Sequence, residues 1–179
     1  MPTVLVILAE EFEEVEAVTP VDLLRRAGAE VTLAARGEGI HVTGRNGLTL
    51  HADATLEAVG ERVFDCLLLP GGPGVKHLRP DPRVRTCILR HHEAGRWVAA
   101  ICAAPVLLHD AGLLSGRRYT AHYSVPNELP EILTVEKAVA DGRLLTSRGA
   151  GTALDFGLMI VEKLFSPDKS REIARSICA

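Results

Sequence analysis

Val4-Leu5-Val6-Ile7-Leu8-Ala9 constrains the fold more than any other segment, because it is apolar at every position. A strand with one wet face alternates apolar and polar residues. An unbroken run reads instead as a strand covered on both faces, as in a parallel sheet. It is far shorter than the ~20 residues needed to span a bilayer. No basic segment precedes it and Glu10-Glu11 follows it, so it does not read as a secretory signal. The expected location is therefore the cytosol. There Cys66, Cys87, Cys102 and Cys178 are expected as free thiols, and their spacing fits no common zinc pattern.

The same alternation continues along the chain. Phe12–Ala27 carries Val15, Val18, Val21 and Leu24 at helical spacing. Pro20 is expected to kink or bound that helix, and Gly28 to stop it. Strands are expected at Glu30–Ala35, Phe64–Leu69 and Trp97–Ile101. Helices are expected at Pro82–Glu93, Ala103–Ala111, Thr152–Phe165 and Pro167–Ile177. Two antiparallel hairpins interrupt the pattern. One pairs Ile40–Thr43 with Leu48–His51 around Asn46-Gly47, and the other pairs Leu133–Val139 with Arg143–Ser147 around Asp141-Gly142. At 179 residues with no linker or repeat, this predicts one α/β domain over 1–179, a three-layer sandwich on a mostly parallel sheet. Twenty basic against 23 acidic residues, with no basic stripe, argue against nucleic-acid binding.

Cys102 stands out by position. It lies between the strand Trp97–Ile101 and a helix, at the carboxyl end of a strand, where open α/β sheets place their sites. The helix N-terminus favours a thiolate there, and the flanking Ala100, Ala103 and Ala104 permit a sharp turn. Position alone leaves open a reactive cysteine or a small buried hydrophobe. Pro70-Gly71-Gly72 ends the neighbouring strand and offers backbone N–H groups for an oxyanion, or is a plain turn. Of Glu10, Glu11, Glu13, Glu14 and Glu16, most are expected to be solvated, with one carboxyl reaching Cys102 as a general acid or base. His91-His92 is expected on a wet helix face. His41 and His51 fall in the first hairpin, and His122 follows the Cys102 helix.

Four segments in order, Glu13–Asp22, Leu69-Pro70-Gly71-Gly72, Ala99–Pro105 and Leu145–Thr152, resemble the ThiJ/PfpI superfamily, a class I glutamine amidotransferase-like group. The nearest branch is that of the parkinsonism-associated protein deglycase. The resemblance implies a flavodoxin-like fold, a homodimer and no cofactor. It also implies Cys102 as nucleophile, Glu16 as its carboxyl partner, and Gly72 and Ala103, with Gly71 beside them, as the oxyanion and substrate-binding positions. His122 would line the pocket, and Arg26 and Arg45 would lie near the pocket or the dimer contact. The peptidase-like members carry a histidine directly after the cysteine; here that residue is Ala103, which disfavours a peptidase or amidase. The implied activity is a glyoxalase or deglycase acting on dicarbonyls or their early adducts. A redox sensor or stress-protective chaperone is the alternative, since a reactive cysteine also suits oxidation.

Overall fold

The structure is a computed structural model describing residues 1–179. β1 (Thr3–Leu8) leads to α1 (Glu14–Ala27) and β2 (Glu30–Ala35). The hairpin β3 (His41–Thr43) and β4 (Thr49–His51) follows, then β5 (Ala54–Thr55) and α2 (Leu56–Val59). β6 (Cys66–Leu69), α3 (Val75–Leu78), α4 (Pro82–Glu93), β7 (Trp97–Ile101) and α5 (Pro105–Asp110) form the middle of the chain. The hairpin β8 (Ala138–Asp141) and β9 (Leu144–Ser147), α6 (Ala153–Leu164) and α7 (Pro167–Ser176) complete it.

The main sheet runs β5-β2-β1-β6-β7-β9-β8 and is parallel except for β8. β1 explains its own composition. Leu5 and Ile7 enter one core with Leu67, Val98 and helices α4 and α5. Val4, Val6 and Leu8 enter the other with Cys66, Leu68 and helices α1 and α6. Both faces of the strand are dry, so both sets of side chains are apolar. The expected three-layer, mostly parallel architecture is thus the one observed.

The local expectations are partly met. The Asn46-Gly47 hairpin forms as a separate two-stranded sheet. Pro20 does not interrupt α1, although it cannot donate a helical hydrogen bond. Its ring faces α6, where a Cβ on Gly157 would lie 3.1 Å from the Pro20 Cα and 2.6 Å from Leu23 Cδ1. Gly157 thus lets α6 pack closely against the proline-containing turn of α1. The expected strand at Leu133–Val139 shortens to β8. Ahead of it, Leu133 is tied to the preceding segment, its N–H on Tyr119 O and its carbonyl accepting from Thr120 Oγ1. The helix after Cys102 starts only at Pro105 and has six residues.

His91 corrects the wet-face expectation, for it is fully buried. Its Nδ1 bonds the Cys87 carbonyl at 2.8 Å, which puts the proton there and leaves Nε2 to accept the Phe64 N–H at 3.0 Å. Burial holds its pKa below the ordinary value. An unfolded chain therefore takes up this proton on acidification before the native one does, and native stability falls as pH drops below about 6.5. Replacing His91 by Leu orphans the Phe64 N–H and should cost about 1–3 kcal/mol at neutral pH. Urea unfolding at pH 7.5 and 5.5 checks both effects: the variant starts lower and loses less on acidification.

Candidate functional site

The carboxyl ends of β1, β6, β7 and β9 bring the candidate residues together. Cys102 follows β7 with φ 66°, a left-handed conformation that is rare for a residue with a Cβ. Its N–H donates to Ser147 O at 2.9 Å, and its carbonyl accepts from the His122 N–H at 2.9 Å. The strained turn is therefore bonded on both sides, to the end of β9 and to the segment after α5. The N–H groups of Gly72 and Ala103 donate to the Cys102 sulfur.

Glu16 sits in the first turn of α1 and is 1% exposed. Its Oε2 accepts the Gly71 N–H at 2.9 Å, and its carboxyl bonds the Cys102 side chain. Gly71 therefore serves the carboxyl and not the sulfur; the two adjacent glycines divide the labour. A Cβ on Gly71 would fall 2.6 Å from Cys102 Cβ and 2.7 Å from Glu16 Oε2, so only glycine fits between them.

Burial, with a smaller contribution from the nearby Glu13 charge, raises the Glu16 pKa to about 7 against the opposing hydrogen bonds from Cys102 and Gly71. Burial and the Glu16 charge push the Cys102 thiol up to about 12, against the two backbone donors. Desolvation and the facing carboxylate thus oppose the thiolate that the helix N-terminus and the Gly72 and Ala103 N–H groups favour. The pair tolerates one negative charge, not two. The two groups share one titration, and whichever of them holds the proton is the neutral hydrogen-bond donor to the other.

Of the other carboxylates, Glu13 and Glu14 are buried, contrary to the expectation of solvated charge. Glu14 latches the first hairpin, taking the Asn46 N–H at 2.7 Å and the Asn46 side-chain amide at 3.0 Å. Arg45, at the same turn, lies 3.6 Å from Glu13. His122 borders the site. A Cβ on Gly149 would meet its ring at 3.2 Å and Glu16 Oε1 at 3.8 Å. Its Nδ1 accepts the Ser124 N–H at 3.2 Å, placing the ring proton on Nε2. Burial and the Arg45 charge lower its pKa. Arg26 is not brought to the site; it pairs with Asp22 on exposed α1 at 2.6 Å. Thr152 is a missed supporting residue, its Oγ1 taking the Gly149 N–H at 3.1 Å and meeting Ser147 Oγ at 2.7 Å. Cys66 and Cys87 are buried with thiols pushed up by desolvation, and Cys178 is exposed.

Residues 2–163 match the DJ-1/PfpI family. The chain is 37% identical over 178 residues to protein DJ-1 homolog A of Arabidopsis thaliana, aligning over 98% of its own length and 45% of that protein's. It thus spans less than half of that relative. It is 33% identical to the glutathione-independent glyoxalase DJR-1.2 of Caenorhabditis elegans, with 94% of this chain and 91% of that one aligned. The oxidized DJ-1 structure from Toxoplasma gondii superimposes with a TM-score of 0.94 at 31% identity, covering 99% of this chain and 98% of the other.

Proposed function

The chain belongs to the DJ-1/PfpI family, and from that premise we propose that it is a cofactor-free glyoxalase or deglycase with Cys102 as nucleophile. The observation that carries the reading is the meeting of a strained cysteine, a buried carboxyl of raised pKa and two backbone donors on one sheet edge. A relative bearing the name of a glutathione-independent glyoxalase supports the same class.

With methylglyoxal, the Cys102 sulfur adds to the aldehyde carbon while the Glu16 carboxylate accepts the thiol proton. The carbonyl oxygen becomes a hemithioacetal oxygen held by the Gly72 and Ala103 N–H groups. Glu16 passes the thiol proton to that oxygen and, again a carboxylate, removes the C1 proton and delivers it to C2, while the C1 hydroxyl proton moves to the C2 oxygen; the oxidation level shifts along the carbon chain without an external electron acceptor. The result is a lactoyl thioester on Cys102. Water cleaves it to lactate and regenerates the thiol. A pKa near neutrality suits a group that must both take and give protons. On a glycated side chain, the same first addition would open a deglycase route.

The proposal takes the protein as a cytosolic homodimer working on a small dicarbonyl or a glycated adduct. No helix is long and apolar enough to cross a membrane. The test is steady-state lactate formation from methylglyoxal without glutathione. Many turnovers per chain are expected; none from a folded, reduced protein would remove the enzyme reading. The second reading, oxidation sensing at Cys102, draws on the same donors, which suit the oxygens of a sulfinate. It predicts one oxidant consumed per chain and no turnover.

A further inference from the structure

Two hydroxyls lie on the segment that leaves β9 beside the Glu16 carboxyl, Ser147-Arg148-Gly149-Ala150-Gly151-Thr152. Ser147 is fully buried and Thr152 half-buried. Their Oγ atoms are 2.7 Å apart. Each hydroxyl has one proton to give. Ser147 Oγ gives its own to the Lys137 carbonyl at 2.7 Å. Thr152 therefore supplies the proton between the two hydroxyls. Thr152 Oγ1 still has a lone pair, and it accepts the Gly149 N–H at 3.1 Å. The Gly149 carbonyl, 2.9 Å from the same Oγ1, takes the Thr152 N–H at 2.8 Å. Thr152 thus holds Gly149 at both its N–H and its carbonyl.

That glycine packs directly on the site. A Cβ there would meet the His122 ring at 3.2 Å and Glu16 Oε1 at 3.8 Å. The next N–H along the chain, that of Ala150, donates to the Glu16 carboxyl. The carboxyl is therefore held from two sides, by Gly71 at Oε2 and by the tethered turn. Ser147 also reaches the nucleophile, since its carbonyl accepts the Cys102 N–H at 2.9 Å. The titratable and charged groups facing Glu16 are Cys102 after β7, Glu13 at the start of α1 with Arg45 of the first hairpin 3.6 Å from it, and His122 after α5. Lys137 and Asp155 pair with each other at 3.2 Å, and Arg148 is exposed. The two hydroxyls carry no charge, so they act on Glu16 only through the placement of an N–H donor.

We propose that Thr152 and Ser147 are positioning residues for Glu16: their paired hydroxyls hold the Gly149–Ala150 turn so that the Ala150 N–H stays on the Glu16 carboxylate. A donor at a carboxyl favours its charged form. The hydroxyl pair therefore lowers the pH at which Glu16 becomes the base for Cys102. This inference rests on the Cys102–Glu16 pairing of the proposed function, and not on which carbonyl compound is the substrate.

The test is a ¹³C NMR titration of the reduced full-length chain carrying carboxyl-labelled glutamate, with the Glu16 resonance assigned by its loss in Glu16→Gln. The wild-type carboxyl should titrate at about 7. Thr152→Val keeps the side-chain shape and removes the hydroxyl. Its Glu16 midpoint should rise by about 0.5–1 pH unit, as expected when one N–H donor is weakened. Thr152→Ser restores the hydroxyl and should titrate within about 0.2 pH unit of wild type. Ser147→Ala should shift the midpoint in the same direction, and it decides the matter if Thr152→Val does not fold. A purely structural role would lower the thermal unfolding midpoint and leave the carboxyl titration in place. An unshifted Glu16 midpoint in the folded variant would overturn the proposal, and so would a Thr152→Ser shift as large as that of Thr152→Val. Lactate formation from methylglyoxal, measured in parallel, keeps the two readings apart: its absence in the wild type removes the glyoxalase, while the carboxyl titration still decides the role of the hydroxyls.

Discussion

Cys102→Ser is expected to abolish lactate formation from methylglyoxal, with kcat falling about 10³-fold or more, in the range seen when a covalent nucleophile is removed. Serine is close to cysteine in size and keeps the same backbone, so the turn at φ 66° and its bonds to Ser147 and His122 are expected to survive. What is lost is the atom. A hydroxyl gives up its proton far less readily than a thiol, and Glu16, with a pKa of about 7, is too weak a base to take it. Cys66 and Cys87 lie buried in the two cores on either side of the sheet and cannot substitute. Cys178, after α7, is exposed. Initial rates with the wild type and variant at equal concentration, alongside thermal unfolding to show equal folding, decide the matter. A variant within tenfold of wild-type activity would move the chemistry away from Cys102.

The features legible in the sequence are those governed by local pattern. β1 announces its burial because both its faces are dry, and the first hairpin announces itself through Asn46-Gly47. Cys102 is visible because a sharp turn after an apolar strand requires small neighbours. What was hidden depends on partners distant in the chain. Glu13 and Glu14 look like solvated charge until Arg45 and Asn46, more than 30 residues later, come back to meet them. His91 looks wet until the strand-entry residue Phe64 presents its N–H to the ring. The division of Gly71 and Gly72 between Glu16 and the sulfur is likewise a matter of tertiary aim, since adjacent N–H groups point in different directions. Segments such as β5 and α3 are too short to display any periodicity.

Glu16→Gln separates the two consequences of burying a carboxyl. Gln keeps the shape, and its side-chain oxygen can still accept the Gly71 N–H, so the fold is expected to persist. The wild-type Glu16 pKa rises from an ordinary 4.5 to about 7 on folding. Between those pH values the native state holds a proton that the unfolded chain has released. Native stability contributed by this group is therefore full below pH 4.5 and is lost as pH rises through 7. A change of that size corresponds to roughly 3 kcal/mol. Gln has no proton to lose. Measured by urea unfolding, the stability of the variant relative to wild type should thus improve by about that amount between pH 4.5 and 8. Catalysis should move the other way. The wild-type kcat/KM is expected to rise with pH through about 7, as Glu16 becomes the carboxylate that accepts the thiol proton. The variant should lose that inflection and fall about 10²–10⁴-fold in rate. A variant that kept the wild-type pH profile would show that another group moves the proton. A variant with no relative gain in stability at pH 8 would show that Glu16 is already ionised at little cost. If both effects appear, the buried carboxyl is held at an energetic cost to the fold because the chemistry at Cys102 needs it there.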